Sequence, residues 1–179
     1  MLEWPAADVA DLLGTTTTAV NSGLRRARAQ LAKAPPAEDE LAEPAEPDRQ
    51  AVLDRFAAAI ENADGRALAD LLRADAVLEM PPFLTWFAGR QTVARFIAAH
   101  FLTEPGGLRL VPVVANGERA FAVYQREPTG SYHAHALLAL AVTATGIARI
   151  VAFLDRGLFG TFGLPLDLPS RVRTGAAGE

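Results

Sequence analysis

"LRLVPVVANGERAFAVYQREPTGSYHAHALLALAVTATGIARIVAFLD", residues 108–155, decides the fold. It holds four short apolar runs: "LRLVPVVAN", "RAFAVYQRE", "SYHAHALLALAVT" and "IARIVAFLD". "NGE", "EPTG" and Thr145–Gly146 separate them, and such residues bend a chain back on itself. The runs therefore read as consecutive antiparallel strands. Upstream the period changes to that of helices. In "RQAVLDRFAAAIENAD" Val52, Phe56, Ala59, Ile60 and Ala63 mark one buried side. A shorter helix follows in "GRALADLLR", then "AVLEMP" alternates as a strand and stops at Pro81–Pro82. "QTVARFIAAHF" is helical again, with Val93, Phe96, Ile97 and Phe101 inward. Helices followed by a run of strands predict an α+β domain, a curved antiparallel sheet wrapped over helices.

The 179 residues suffice for one such domain plus a smaller appendage. Half are apolar and 21% charged, a globular composition. There is no cysteine, so a disulfide framework, a thiolate metal site and a cysteine nucleophile are excluded; the composition fits a reducing cytoplasm. Apolar stretches such as Ala134–Val142 are far shorter than the roughly 20 residues of a membrane span, and no membrane partner is expected.

The net charge of −4 is unevenly spread. Up to Lys33 the acids Glu3, Asp8 and Asp11 come early, and Arg25, Arg26, Arg28 and Lys33 come late. Residues 34–48 then carry six acids and four prolines with no base, which predicts an extended linker over 34–47. Ahead of it lie two short helices. Pro5 suits a first helical position, and Ala6, Val9, Ala10 and Leu13 recur at helical spacing. Gly14 can turn the chain in a left-handed conformation, and Thr16 or Thr17 can cap the next helix. That helix aligns Val20, Leu24, Ala27 and Leu31, with Arg25 and Arg28 turned away. Arg25, Arg26 and Arg28 could neutralise phosphates or fork onto guanine, and Thr17, Thr18, Asn21 and Ser22 stand at the leading end that meets bases in helix-turn-helix readers. The competing reading is an ordinary solvated helix face. Gly23 inside this helix costs roughly 1 kcal/mol relative to alanine.

Candidates for chemistry in the larger domain are few. His133 and His135, two residues apart on a strand, share one face; they could hold a metal, but no third ligand is at hand, and lining a cavity is the other reading. No metal or other cofactor is expected. Glu79, Tyr124 and Asp155 could act as the acid–base set of an isomerase, given a carboxyl group held in an apolar setting. Alternatively Glu79 is half exposed, and Asp155 caps a strand end or pairs with Arg149 or Arg156. Trp86, Phe87, Phe121, Tyr124 and Phe153 could line an apolar cavity.

Two families are matched. "WPAADVADLLGTTTTAVNSGLRRARAQL", above all its "AVNS", Leu24 and "RAR", resembles the end of region 4 in sigma-70 factors of the extracytoplasmic-function group. The resemblance implies that the second helix reads the promoter −35 element, with promoter DNA and RNA polymerase core as partners. Because the match starts part-way into region 4, a fragment of a longer factor is expected. "LLRADAVLEMPP", the helix after "TWFAGR" and the strands ending "IARIVAFLD" resemble SnoaL-like domains of the nuclear transport factor 2-like superfamily. That implies a cone of helices against the sheet over 48–164, with a flexible tail over 165–179. A sigma region, a proline-rich linker and this domain in that order resemble one actinobacterial-type branch, in which the appended domain regulates sigma activity. The superfamily further implies room for a small apolar ligand and pairing as a homodimer. On this reading the chain is no enzyme; the alternative is a small isomerase or hydrolase working in the cone.

Overall fold

The computed structural model describes residues 4–33 and 44–170. They fall into two compact units, one on each side of the proline-rich segment. Residues 34–43 and 171–179, and with them most of the expected linker and tail, lie outside the described residues.

The first unit is the expected helix pair, α1 (Ala6–Leu12) and α2 (Thr17–Lys33). Gly14 takes φ +60°, the left-handed turn expected of it. Of the two candidate caps it is Thr16 that serves: its Oγ1 accepts a hydrogen bond from the Ala19 N–H at 3.2 Å. The expected apolar stripe is not covered. Ala10 is buried and Val20 half-buried, yet Leu13 and Leu24 are exposed, as are Trp4 and Leu12. Two helices alone offer each other too little apolar surface to bury a stripe.

The second unit opens with α3 (Glu46–Glu61), which begins inside the stretch expected to be linker. Pro47 sits in its first turn, where a missing N–H costs nothing, and Glu46 and Asp48 favour the positive end of the helix dipole. The same prolines and acids that read as linker therefore start a helix. α4 (Gly65–Leu71) is capped by Asp64, whose Oδ1 accepts from the N–H groups of Arg66 (3.1 Å) and Ala67 (2.9 Å). β1 (Leu72–Glu79) starts four residues before "AVLEMP" and takes over the end of the expected second helix. β2 (Trp86–Ala88), α5 (Arg90–His100), β3 (Leu108–Ala115), β4 (Glu118–Arg126), β5 (Tyr132–Thr143) and β6 (Gly146–Phe153) follow. A short α6 (Gly157–Thr161) and β7 (Asp167–Leu168) complete the unit. The tail expected from residue 165 is thus part of the fold at least to Leu168.

The sheet order is β2-β1-β6-β5-β4-β3. All pairs are antiparallel except β1 with β6, so the sheet expected to be antiparallel contains one parallel pair. Its cause is that β1 enters from the helical layer and β6 returns last beside it. β7 pairs with Tyr132 and His133 of β5, on a stretch that β6, joined to β5 from Leu137 onward, leaves unpaired. Register shifts between Val123 and Tyr124 and between Ala141 and Val142 are bulges, which add curvature.

Helices α3, α4 and α5 cover the inner face of the sheet, with Leu53, Phe56, Leu68, Val93, Ile147 and Ile150 among the buried residues between. The outer face is capped on the β4–β5 side by α6 and the following segment, around Tyr124, Tyr132 and Phe159. Gly146, at φ +126°, lies so close to the end of α4 that a Cβ would stand 2.7 Å from the Leu71 carbonyl oxygen.

Candidate functional site

The inner face of the curved sheet and the ends of α3 and α5 enclose a cavity of about 60 Å³. Phe56 and Ile60 come from α3, Ile97 from α5 with Phe101 just after it, and Leu78, Val123, Ile150 and Ala152 from the strands. Met80 and Leu154 extend the wall past the ends of β1 and β6, and the Leu154 N–H donates to the Pro81 carbonyl at 3.2 Å. The wall presents apolar atoms; His135 is the one ionisable residue in it.

A bulge lies at His135, so that it and Ala136 both line the cavity. Val123 pairs with Ala136 and Tyr124 with Ala134, so His135 is the extra residue on β5. Such a residue breaks alternation and re-aims a side chain. Tyr132 and Ala134 pack on the outer face, whereas Ala136, Leu138 and Leu140 pack inside. The His135 ring lies 5.6 Å from that of Phe101, which continues into Phe96 and Phe87, the last two stacked at 4.1 Å. Burial lowers the His135 pKa below its ordinary value and the nearby Arg156 charge adds to this, which favours the neutral imidazole.

The other expected pocket residues lie elsewhere. Phe121 is on the inner face but packs against Phe56 in the core, ring centroids 6.1 Å apart, and is not a wall of the cavity. Tyr124 faces outward, fully buried, edge-on to Phe159 at 5.3 Å, and its hydroxyl donates to the Pro165 carbonyl at 2.9 Å. Glu79 also faces outward and meets Arg149 at 3.5 Å. Trp86, 63% exposed, stands opposite Glu79 on β2. Phe153 is exposed at the end of β6. Asp155 uses its Oδ1 to accept the Gly157 N–H at 2.8 Å at the start of α6. His133 pairs with Asp167 of β7. Glu79, Tyr124 and Asp155 therefore do not converge: two are on the outer face and the third caps a helix. Among the described residues no cluster of three or more His, Asp or Glu side chains could hold a metal.

Strand alternation carried part of this. Phe121 and Tyr124 are three apart, a spacing that puts them on opposite faces, and Leu78 flanks Glu79 on the opposite side. The wall residues Phe56, Ile60, Ile97 and Phe101 were legible as core but not as cavity, because helical periodicity marks a buried side and not where packing leaves space.

In the first unit, Thr17, Thr18, Asn21, Arg25, Arg26 and Arg28 are exposed and Ser22 is half-buried. The three arginines have no ion-pair partner among the described residues.

A model of the SnoaL-like domain matches residues 53–153. The chain belongs to the SnoaL-like domain family. This SnoaL-like chain is also 42% identical over 171 residues to the ECF RNA polymerase sigma factor SigG of Mycobacterium tuberculosis, in two strains. The alignment takes in 94% of the chain and 46% of SigG, so the chain spans about half the length of the curated relatives it matches. Among solved structures, an NTF-2 like protein of unknown function from Burkholderia xenovorans superposes with a TM-score of 0.52 at 14% identity, covering 65% of this chain and 94% of that one. A de novo designed protein with a curved β-sheet superposes with a TM-score of 0.51 at 14% identity, over 67% and 95%. These two likenesses confirm the expected α+β fold of helices on a curved sheet.

Proposed function

We propose that this chain is part of an extracytoplasmic-function RNA polymerase sigma factor, in which the helix pair reads the promoter −35 element and the SnoaL-like domain regulates sigma activity. The observation that carries this reading is the 42% identity to SigG, which extends over both units and not over the SnoaL-like domain alone. The exposed faces support it. Arg25, Arg26 and Arg28 are available to phosphates, and Thr17, Thr18, Asn21 and Ser22 lead the helix that would enter the major groove. RNA polymerase core and promoter DNA are the partners of this reading. No helix among the described residues is long and apolar enough to cross a membrane.

In this reading the cavity takes a small apolar ligand, and ligand acts through unequal affinity for competent and restrained states of the factor. Salt-dependent binding to a −35 duplex tests the DNA arm. Each phosphate contact contributes about −0.9 to the slope of log affinity against log salt, so replacing Arg25, Arg26 and Arg28 by alanine should flatten it by up to about 2.7. An unchanged slope refutes the assignment. The regulatory arm fails if a neutral spacer in place of the SnoaL-like domain leaves promoter output of a full-length factor unchanged.

The outer sheet face supports a homodimer. Trp86, Val151 and Ala139 form one row across it with Glu79, and Phe153 beside Leu137 belongs to the next. Arg149 and Glu79 on this face are opposite in charge and meet each other.

A further inference from the structure

The edge of a sheet offers N–H and C=O groups to any extended chain, and this sheet ends in β2 on one side and β3 on the other. β2 has three residues, and so short an edge templates a strand poorly. β3 has eight. Its Leu110 N–H donates to the Glu61 Oε1 at 2.9 Å, so it points away from β4. In an antiparallel pair that orientation recurs at every second residue, which puts Pro112 and Val114 on the outward side with Leu110. The Arg126 N–H bond to the Gly107 carbonyl, at 2.8 Å, agrees by placing the alternate residues toward β4. Glu61 ends α3, and its backbone carbonyl also accepts the outward Gly106 N–H at 2.7 Å. Leu108, between these two contacts, is buried. Pro112 has no N–H to offer. Beyond both guards the next outward N–H belongs to Val114, which is 68% exposed.

We propose that Glu61 and Pro112 hold β3 closed against β3 of a second copy, and that without them this edge is a self-association surface. The sequence of the edge argues for a second copy as the occupant. Leu110–Val114 is apolar and β-branched but for Leu110 and Pro112, and it carries no charge that would repel an identical strand. Antiparallel pairing centred on Pro112 would set Pro112 opposite itself and Leu110 opposite the second copy's Val114, a two-fold contact. Each strand would then need outward donors at 110, 112 and 114. Glu61 occupies the first and proline lacks the second, so the ladder loses all but the Val114 donor on each side.

The experiment measures the mass of the full chain in solution across a concentration series, with the unaltered chain as baseline. The double variant Glu61→Ala/Pro112→Val should reach about twice the baseline mass. Its Leu110 and Val114 amides should exchange more slowly as concentration rises. Adding Val114→Pro removes an outward N–H and no bond to β4, and should return the mass to baseline. Glu61→Gln keeps an acceptor for the Leu110 N–H and should stay at baseline. Pro112→Val alone breaks no existing bond and should associate more weakly than the double variant. A double variant that melts cooperatively yet keeps the baseline mass overturns the proposal. So does association that survives Val114→Pro, because it would come from a surface other than the β3 edge. Should the double variant fail to fold, Pro112→Val decides, and a baseline mass at every concentration overturns the proposal.

Discussion

Replacing Tyr124 by phenylalanine separates a structural latch from a cavity residue. The hydroxyl donates to the Pro165 carbonyl at 2.9 Å, and burial raises its pKa above the usual tyrosine range, so it stays a protonated donor at neutral pH. The ring is fully buried against Phe159 on the outer face, and phenylalanine would keep that edge-on contact. The loss is then one neutral hydrogen bond, about 1 kcal/mol net. For a domain of this size that lowers the melting temperature by about 3–5 °C. Tyr124→Ala also removes the ring and should cost ~3–5 kcal/mol, as large-to-small aromatic changes in cores do. Thermal melts followed by circular dichroism measure both. A Tyr124→Phe protein of undiminished stability would refute the reasoning, because the bond to the Pro165 carbonyl would then hold nothing in place.

His135 should make stability pH-dependent. Its folded pKa is lowered by burial and then by Arg156, so as pH falls below about 6.5 the unfolded chain takes up the proton first. Stability should decline with falling pH until the folded value is passed, and melts at about pH 7 and about pH 5.5 should converge in His135→Leu; an equal drop in the variant would count against it. Gly146→Ala should destabilise by more than about 1 kcal/mol, since φ +126° disfavours a side chain and its Cβ would press on the Leu71 carbonyl at 2.7 Å; denaturant melts measure this. Asp64→Ala should cost about 1 kcal/mol in the same assay by uncapping α4. Trp86→Glu should shift light-scattering mass toward the monomer if the outer face pairs two copies, and an unchanged mass would remove that face from consideration.

Local chemistry wrote much of this molecule. Gly14 turning the helix pair, Thr16 capping α2 and the four strands of 108–155 all follow from residue type and period, because backbone preference acts within a few residues. The acidic, proline-rich stretch misled at its end: Pro47 and the acids around it serve a helix start as well as a linker, and only the apolar face that follows, with Leu53 and Phe56 buried, selects between them. The site was less legible. His135 and Ala136 both face the cavity because one extra residue sits in β5 against β4, and pairing between strands creates such a bulge. Glu79, Tyr124 and Asp155 look like a set in sequence. The pleat sends the first two to the outer face and a capping bond claims the third. Sequence alone determined the period of most segments and which of their sides are apolar, since those depend on nearest neighbours along the chain. Tertiary structure alone decided where a space remains and which side chains converge on it, because both arise where residues distant in sequence meet.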